Sequence, residues 1–182
     1  MVEYKYLGLI AITILTLGLA FVALKWPEGK HLTFSQHVAK NMHRIIYYNL
    51  LFTIVLPLLL LFFWGWFIPT FDISTWFGVL IVASSVTQYT CTLIPEVGGW
   101  KTRYHRLLAG ASAIFLVPAQ LLLLFANNVE ILSKIVVAIS LCIMLAVIFL
   151  IAINKGQHKY FLLLQSLYFT AFFAPIILVT HS

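Results

Sequence analysis

Glu130 to Asn154 reads EILSKIVVAISLCIMLAVIFLIAIN, and beyond Lys134 no charge interrupts the run. A helix rises about 1.5 Å per residue and crosses the hydrocarbon core of a bilayer in about 20 residues. This stretch is therefore long enough and apolar enough to span. Apolar and polar positions do not alternate along it, as they would in a barrel strand, and an open sheet in lipid would leave backbone groups unpaired.

Working outward from this segment, five more of similar character run approximately from Tyr4 to Leu24, Ile45 to Phe67, Ser74 to Ile94, His105 to Ala126 and His158 to His181. Their boundaries are expected to hold within about four residues. Of the 182 residues, 63% are hydrophobic and 9% charged, with a mean hydropathy of +1.04. Those values exclude an ordinary soluble domain. The expected fold is all-α: a polytopic membrane bundle of about six transmembrane helices, with residues 1–182 forming a single transmembrane domain. The apolar stretch after Lys5 is read as the first span, not a cleaved signal, because its core is long and no good small-x-small cleavage site is visible before Lys25.

The net charge is +6, but the basic residues sit in short connections, not on one helical stripe. Anionic lipid headgroups are thus the expected partners of Lys25, Lys30, Lys40, Arg44, Lys101, Arg103 and Arg106, and nucleic acid is not. With Lys155 and Lys159 these residues fall in the first, third and fifth connections, whereas the other side carries only Lys5 and Lys134. The positive-inside rule places the basic connections in the cytoplasm and both termini outside. Trp64, Trp66 and Trp76 mark the outer boundary; Trp26, Trp100, Tyr104 and Tyr160 mark the inner one.

The longest polar stretch, Lys25 to Arg44, contains Lys-Trp-Pro-Glu-Gly and then Thr33 and Ser35, a turn followed by helix-capping residues. A short helix lying at the headgroups fits it, as does a linker or a binding loop. Each basic connection also leads into a helix with proline: His43-Arg44 before Pro57, His105-Arg106 before Pro118, and His158-Lys159 before Pro175. This echo suggests three helical hairpins in parallel, a duplicated architecture of the kind some transporters use. Basic helix entries and frequent membrane prolines account for the same pattern without duplication.

The third span is the least apolar. Ser84, Gln88 and Cys91 fall on one helical face, with Glu96 near its extension. Either hydrogen bonds to neighbouring helices or a ligand path would satisfy such residues. Asn49, Gln120 and Gln165, on other spans, could join them in a polar interior. Cys91 and Cys142 lie inside spans with no metal spacing and read as small core residues.

Five of six histidines fall on the basic side. If the hairpins share an axis, His43, His105 and His158 would ring one mouth, with Glu96 as a fourth ligand or a base. Such a set could hold zinc and activate water; interfacial anchoring explains the same histidines. Haem ligation would need histidines within the membrane, and none is central. No Asp, Glu, Lys or Arg occupies the centre of a span, which argues against proton pumping and voltage sensing. Ser84, Ser85 and Cys91 have no sequence-local base for nucleophilic catalysis.

The stretch Leu93-Ile94-Pro95-Glu96-Val97-Gly98-Gly99, then His105 and the apolar helix carrying Pro118, resembles small bacterial six-helix membrane proteins of unknown function that are distantly DRAM-like. The resemblance implies six helices, no established activity and no catalytic residue to transfer. DRAM-like proteins are usually drawn with cytoplasmic termini, opposite to the charge count here.

Three functions follow from these residues. The preferred one is a non-enzymatic protein that binds or passes a small or lipid-like ligand through a polar interior. A metal-dependent intramembrane hydrolase built on the three histidines is one alternative. The other is a structural or assembly subunit, which would be indifferent to Gln88→Leu.

Overall fold

The computed structural model describes residues 2–29, 31–153 and 159–181. Ten elements follow one another, all of them helical. They are α1 (Val2–Lys25), α2 (Phe34–Val38), α3 (Met42–Phe62), a π turn (Phe63–Phe67), α4 (Ile68–Phe71), α5 (Thr75–Leu93), α6 (Gly99–Leu122), a 3-10 turn (Leu123–Phe125), α7 (Ile131–Ile153) and α8 (Phe161–His181). Six helical stretches are long and apolar enough to span a membrane.

The spanning helices pack most extensively as α1 with α3, α5 with α6, and α7 with α8. The chain is thus three antiparallel hairpins, as the echo of basic entries suggested. The paired ends of these hairpins lie at one end of the bundle, here termed the basic end, which carries Lys25, Lys40, Arg44, Lys101, Arg103, Arg106 and Lys159.

Small residues set the first hairpin. A Cβ added at Gly8 would lie 2.6 Å from the ring of Phe62, and one at Gly18 2.5 Å from Leu51. Close backbone approach of this kind replaces the hydrophobic drive that lipid cannot supply. The second span, Met42–Phe71, is 30 residues long, or about 45 Å against a hydrocarbon core of about 30 Å. It continues past Pro57 into the π turn, where Tyr4 of α1 packs over Gly65.

The end opposite the basic one is dense. Phe62, Phe63, Phe67 and Phe77 are at most 1% exposed and meet edge-on or tilted, at centroid distances of 5.0 to 5.9 Å. Leu123, Met144 and Ile176 extend this packing between α6, α7 and α8. Side chains fill the far half of the bundle, and the basic half is where space remains.

Three expectations are corrected. The fourth span begins at Gly99, not near His105, because the polar turn Lys101–Tyr104 continues the helix past the apolar stretch that hydropathy detects. His105 therefore lies inside α6. The short helix α2 does not lie on the surface: Phe34, Ser35, His37 and Val38 are buried, and it packs against α1 and α3. Cys142 is exposed on α7, on a surface that faces lipid once the helix spans, while Cys91 is buried.

Candidate functional site

At the basic end the chain leaves α5 through Ile94-Pro95-Glu96-Val97 and enters α6 at Gly98-Gly99. Both glycines have positive φ, +100° and +57°, a conformation that residues with a Cβ rarely adopt. This tight turn tucks the Glu96 side chain, 2% exposed, beneath α6.

Four donors converge on the Glu96 carboxylate. Oε1 accepts from Arg106 Nε at 2.7 Å and from Gln36 Nε2 at 3.0 Å. Oε2 accepts from Ser35 Oγ at 3.1 Å and Thr33 Oγ1 at 3.2 Å. A carboxylate has about four lone-pair sites, so these partners saturate it. Burying the charge is tolerable because it is both paired and hydrogen-bonded.

Three of these donors come from α2 and its N-cap Thr33, whose position is fixed locally. Thr33 and Gln36 form a reciprocal capping box: Thr33 Oγ1 accepts from Gln36 N, and Gln36 Oε1 accepts from Thr33 N. Gln165 of α8 adds a longer tie by accepting from Phe34 N at 3.1 Å. Outside α2, Glu28 receives Lys40 Nζ at 2.6 Å and Arg44 Nη1 at 2.7 Å. Hydrogen bonds from Lys40, then Arg44, hold the Glu28 carboxyl below its ordinary value. Arg44 also lies 5.3 Å from the Trp26 ring. The charges of Lys40 and Arg44 are thus directed to Glu28 within the protein, whereas Lys25, Lys101 and Arg103 are exposed and suited to headgroups. Lys30 and Lys155 lie outside the described residues.

His105, 4% exposed, sits between this cluster and α5. Its Nδ1 is 2.6 Å from the Ile94 carbonyl, which can only accept, so Nδ1 carries a proton. In the neutral ring Nε2 is then an acceptor, and the Cys91 thiol lies 3.3 Å from it. Glu96 Oε2 is 4.0 Å from the same nitrogen.

Above the cluster a cavity of about 720 Å³ opens between α6, α7 and α8, within the 300–1,000 Å³ typical of ligand sites. Its walls are apolar: Ala109, Ala113 and Leu116 on α6, Ile148 and Ile151 on α7, Phe169 on α8. Its floor is polar, with Gln36, Gln88, Glu96, Arg106 and Gln165, and His31 and Lys159 also contribute to the lining. Tyr168 OH donates to the Ala113 carbonyl and ties α8 to α6 at mid-depth. Gly110 and Ile114 on α6 and Ala152 on α7 line the cavity and are exposed. The wall is therefore open sideways between those two helices.

Of the candidate site residues singled out in the sequence, Gln88, Cys91, Glu96, His105 and Gln165 meet in this one cavity. Ser84 does not line it but bonds Ser112, Oγ to Oγ at 2.9 Å and Oγ to the carbonyl at 3.0 Å, locking α5 to α6. Asn49 and Gln120 also lie off the lining; Gln120 is completely buried, with neither amide atom hydrogen-bonded among the described residues.

Two of the three histidines expected to ring one mouth lie among the described residues. His43 is exposed at the first turn of α3, whereas His105 is buried in the cavity wall; His158 lies outside the described residues. Among the described residues no three His, Cys, Asp or Glu side chains are placed to hold a metal ion such as zinc. The sequence reading overlooked Gln36, His31, Lys159, Tyr48 and Tyr168 as lining residues. Only the Thr33-x-x-Gln36 capping box gave a local signal.

The fold and cavity define a polytopic α-helical membrane protein with an internal, laterally open pocket. No protein-family model, curated protein or solved structure matches the chain.

Proposed function

We propose that this protein binds an amphiphile drawn sideways from the bilayer, with the basic end facing the cytoplasm. The cavity carries the reading: apolar walls suit a hydrocarbon chain, and the polar floor suits a headgroup. Along α6 the lining runs from Arg106 to Leu116, about ten residues or roughly 15 Å, half of the ~30 Å hydrocarbon core. That depth matches one leaflet. The Gln88 side chain makes no hydrogen bond among the described residues and lines the cavity, leaving an amide to meet the ligand instead of the protein.

Gly110 supplies the test. A Cβ there meets nothing within 4 Å, so Gly110→Phe has room to start a bulky side chain at the lateral opening. Lipid co-purifying with the full chain, extracted and quantified by mass spectrometry, should fall at least fivefold in Gly110→Phe while the folded fraction is unchanged. Gln88→Leu should weaken binding severalfold. Equal lipid content in wild type, Gly110→Phe and Gln88→Leu would remove the ligand-binding reading and favour a structural or assembly subunit.

A further inference from the structure

We infer that the cavity selects an amphiphile with an anionic headgroup, a phosphate or a carboxylate, and rejects cationic and uncharged ones. The inference rests on the amphiphile-binding reading and follows from which donors and acceptors on the cavity floor are already used. Among the described residues Glu96 is the one acidic side chain of the lining, and both its oxygens are filled by Arg106, Gln36, Ser35 and Thr33. An ammonium headgroup would have to displace a partner to reach it.

Donors, by contrast, are in surplus. Arg106 spends only Nε on Glu96, and its side chain is 53% exposed. Four of a guanidinium's five N–H groups then remain to grip an oxyanion. Lys159 lines the same cavity, is exposed, and among the described residues has no acidic partner; its one recorded contact is with the Tyr160 ring, 5.6 Å away. Arg106 cancels the charge of Glu96, so Lys159 leaves the floor net positive. Lys40 and Arg44, at the same end of the bundle, show the opposite arrangement, since Glu28 occupies both. The free N–H groups of Arg106 and the Lys159 ammonium beside an apolar channel are matched by an anion on a hydrocarbon chain.

The experiment uses the full chain in phosphatidylcholine nanodiscs and measures equilibrium binding by native mass spectrometry. The probes are dodecyl phosphate, dodecanol, dodecyltrimethylammonium and inorganic phosphate. Dodecyl phosphate should bind at least tenfold more tightly than each of the others. Lys159→Gln should erase most of that preference and Lys159→Glu should reverse it. Lys101→Gln, which removes an equal charge from an exposed position off the cavity, should leave it intact.

Comparable binding of all three dodecyl probes, unchanged by Lys159→Gln, would overturn the anionic selectivity while leaving amphiphile binding in place. Loss of preference in Lys101→Gln as well as Lys159→Gln would overturn the assignment to the cavity, since net charge alone would then explain it. Inorganic phosphate binding as tightly as dodecyl phosphate would overturn the lipid source of the anion. Failure of every dodecyl probe to bind would instead remove the proposed function.

Discussion

Glu96 organises the basic end because each of its four lone-pair sites receives a donor from a different residue. Replacing it with alanine would leave the Thr33, Ser35 and Gln36 donors without their acceptor in a mostly buried setting. Losing a buried charged acceptor costs on the order of 3 kcal/mol. Glu96→Ala should therefore lower the thermal midpoint in detergent and expose α2 to protease, whereas Arg106→Lys should do so less. An unchanged midpoint and unchanged cleavage in Glu96→Ala would mean that the cluster does not hold α2. This residue was visible in the sequence as the acid after the third span, but its partners were not. Nothing in a single chain says that Ser35 and Arg106, far apart in sequence, meet on one carboxylate. Gln120 was grouped with the site because intramembrane amides are costly, and it is instead buried apart from the cavity. Polarity within a span signals an obligation to be satisfied, not where that happens.

At the scale of elements, helix identity follows from apolar length and could be read directly, whereas the hairpins were suggested by the echo of basic helix entries, which composition alone could also produce. The start of α6 could not be read, because exposed Lys101 and Arg103 continue a helix beyond the hydrocarbon and hydropathy registers only what lipid requires. The position of α2 was hidden for a related reason. Its capping box marks a helix start, but burial depends on Glu96 and Gln165 from distant segments. Packing of α1 on α3 depends on glycines that the sequence reading did not use. Gly8→Leu would drive carbon into the ring of Phe62, itself 1% exposed and unable to retreat. Overpacking of this sort costs about 1–3 kcal/mol. Gly8→Leu should reduce the folded yield and the thermal midpoint, while Gly110→Leu, which has open space, should not. Equal effects of the two substitutions would contradict the close α1–α3 approach.

For the whole molecule, the contrast between a dense aromatic end and a hollow basic end gives the bundle a direction that composition alone does not convey. Charge count supplied the sidedness expectation, and the paired ends of the three hairpins do collect at one end. If that end faces the cytoplasm, a cysteine placed at Lys101 should react with a membrane-impermeant thiol reagent only after cells are opened. Cys91 is buried and Cys142 lies on a lipid-facing surface, so neither should contribute to the signal. Labelling of intact cells would reverse the orientation without disturbing the bundle. The cavity itself was only half legible: five of its polar residues could be named, but an empty volume between α6, α7 and α8 is a property of packing, not of any one span.

Photolabelling with a lipid that carries a diazirine near the end of its acyl chain tests the occupied cavity most directly. The account predicts adducts at Ala113, Ile151 and Phe169, which face inward, and their loss in Gly110→Phe. Adducts confined to outward residues such as Leu132, Ile135 and Leu163, unchanged by Gly110→Phe, would contradict it.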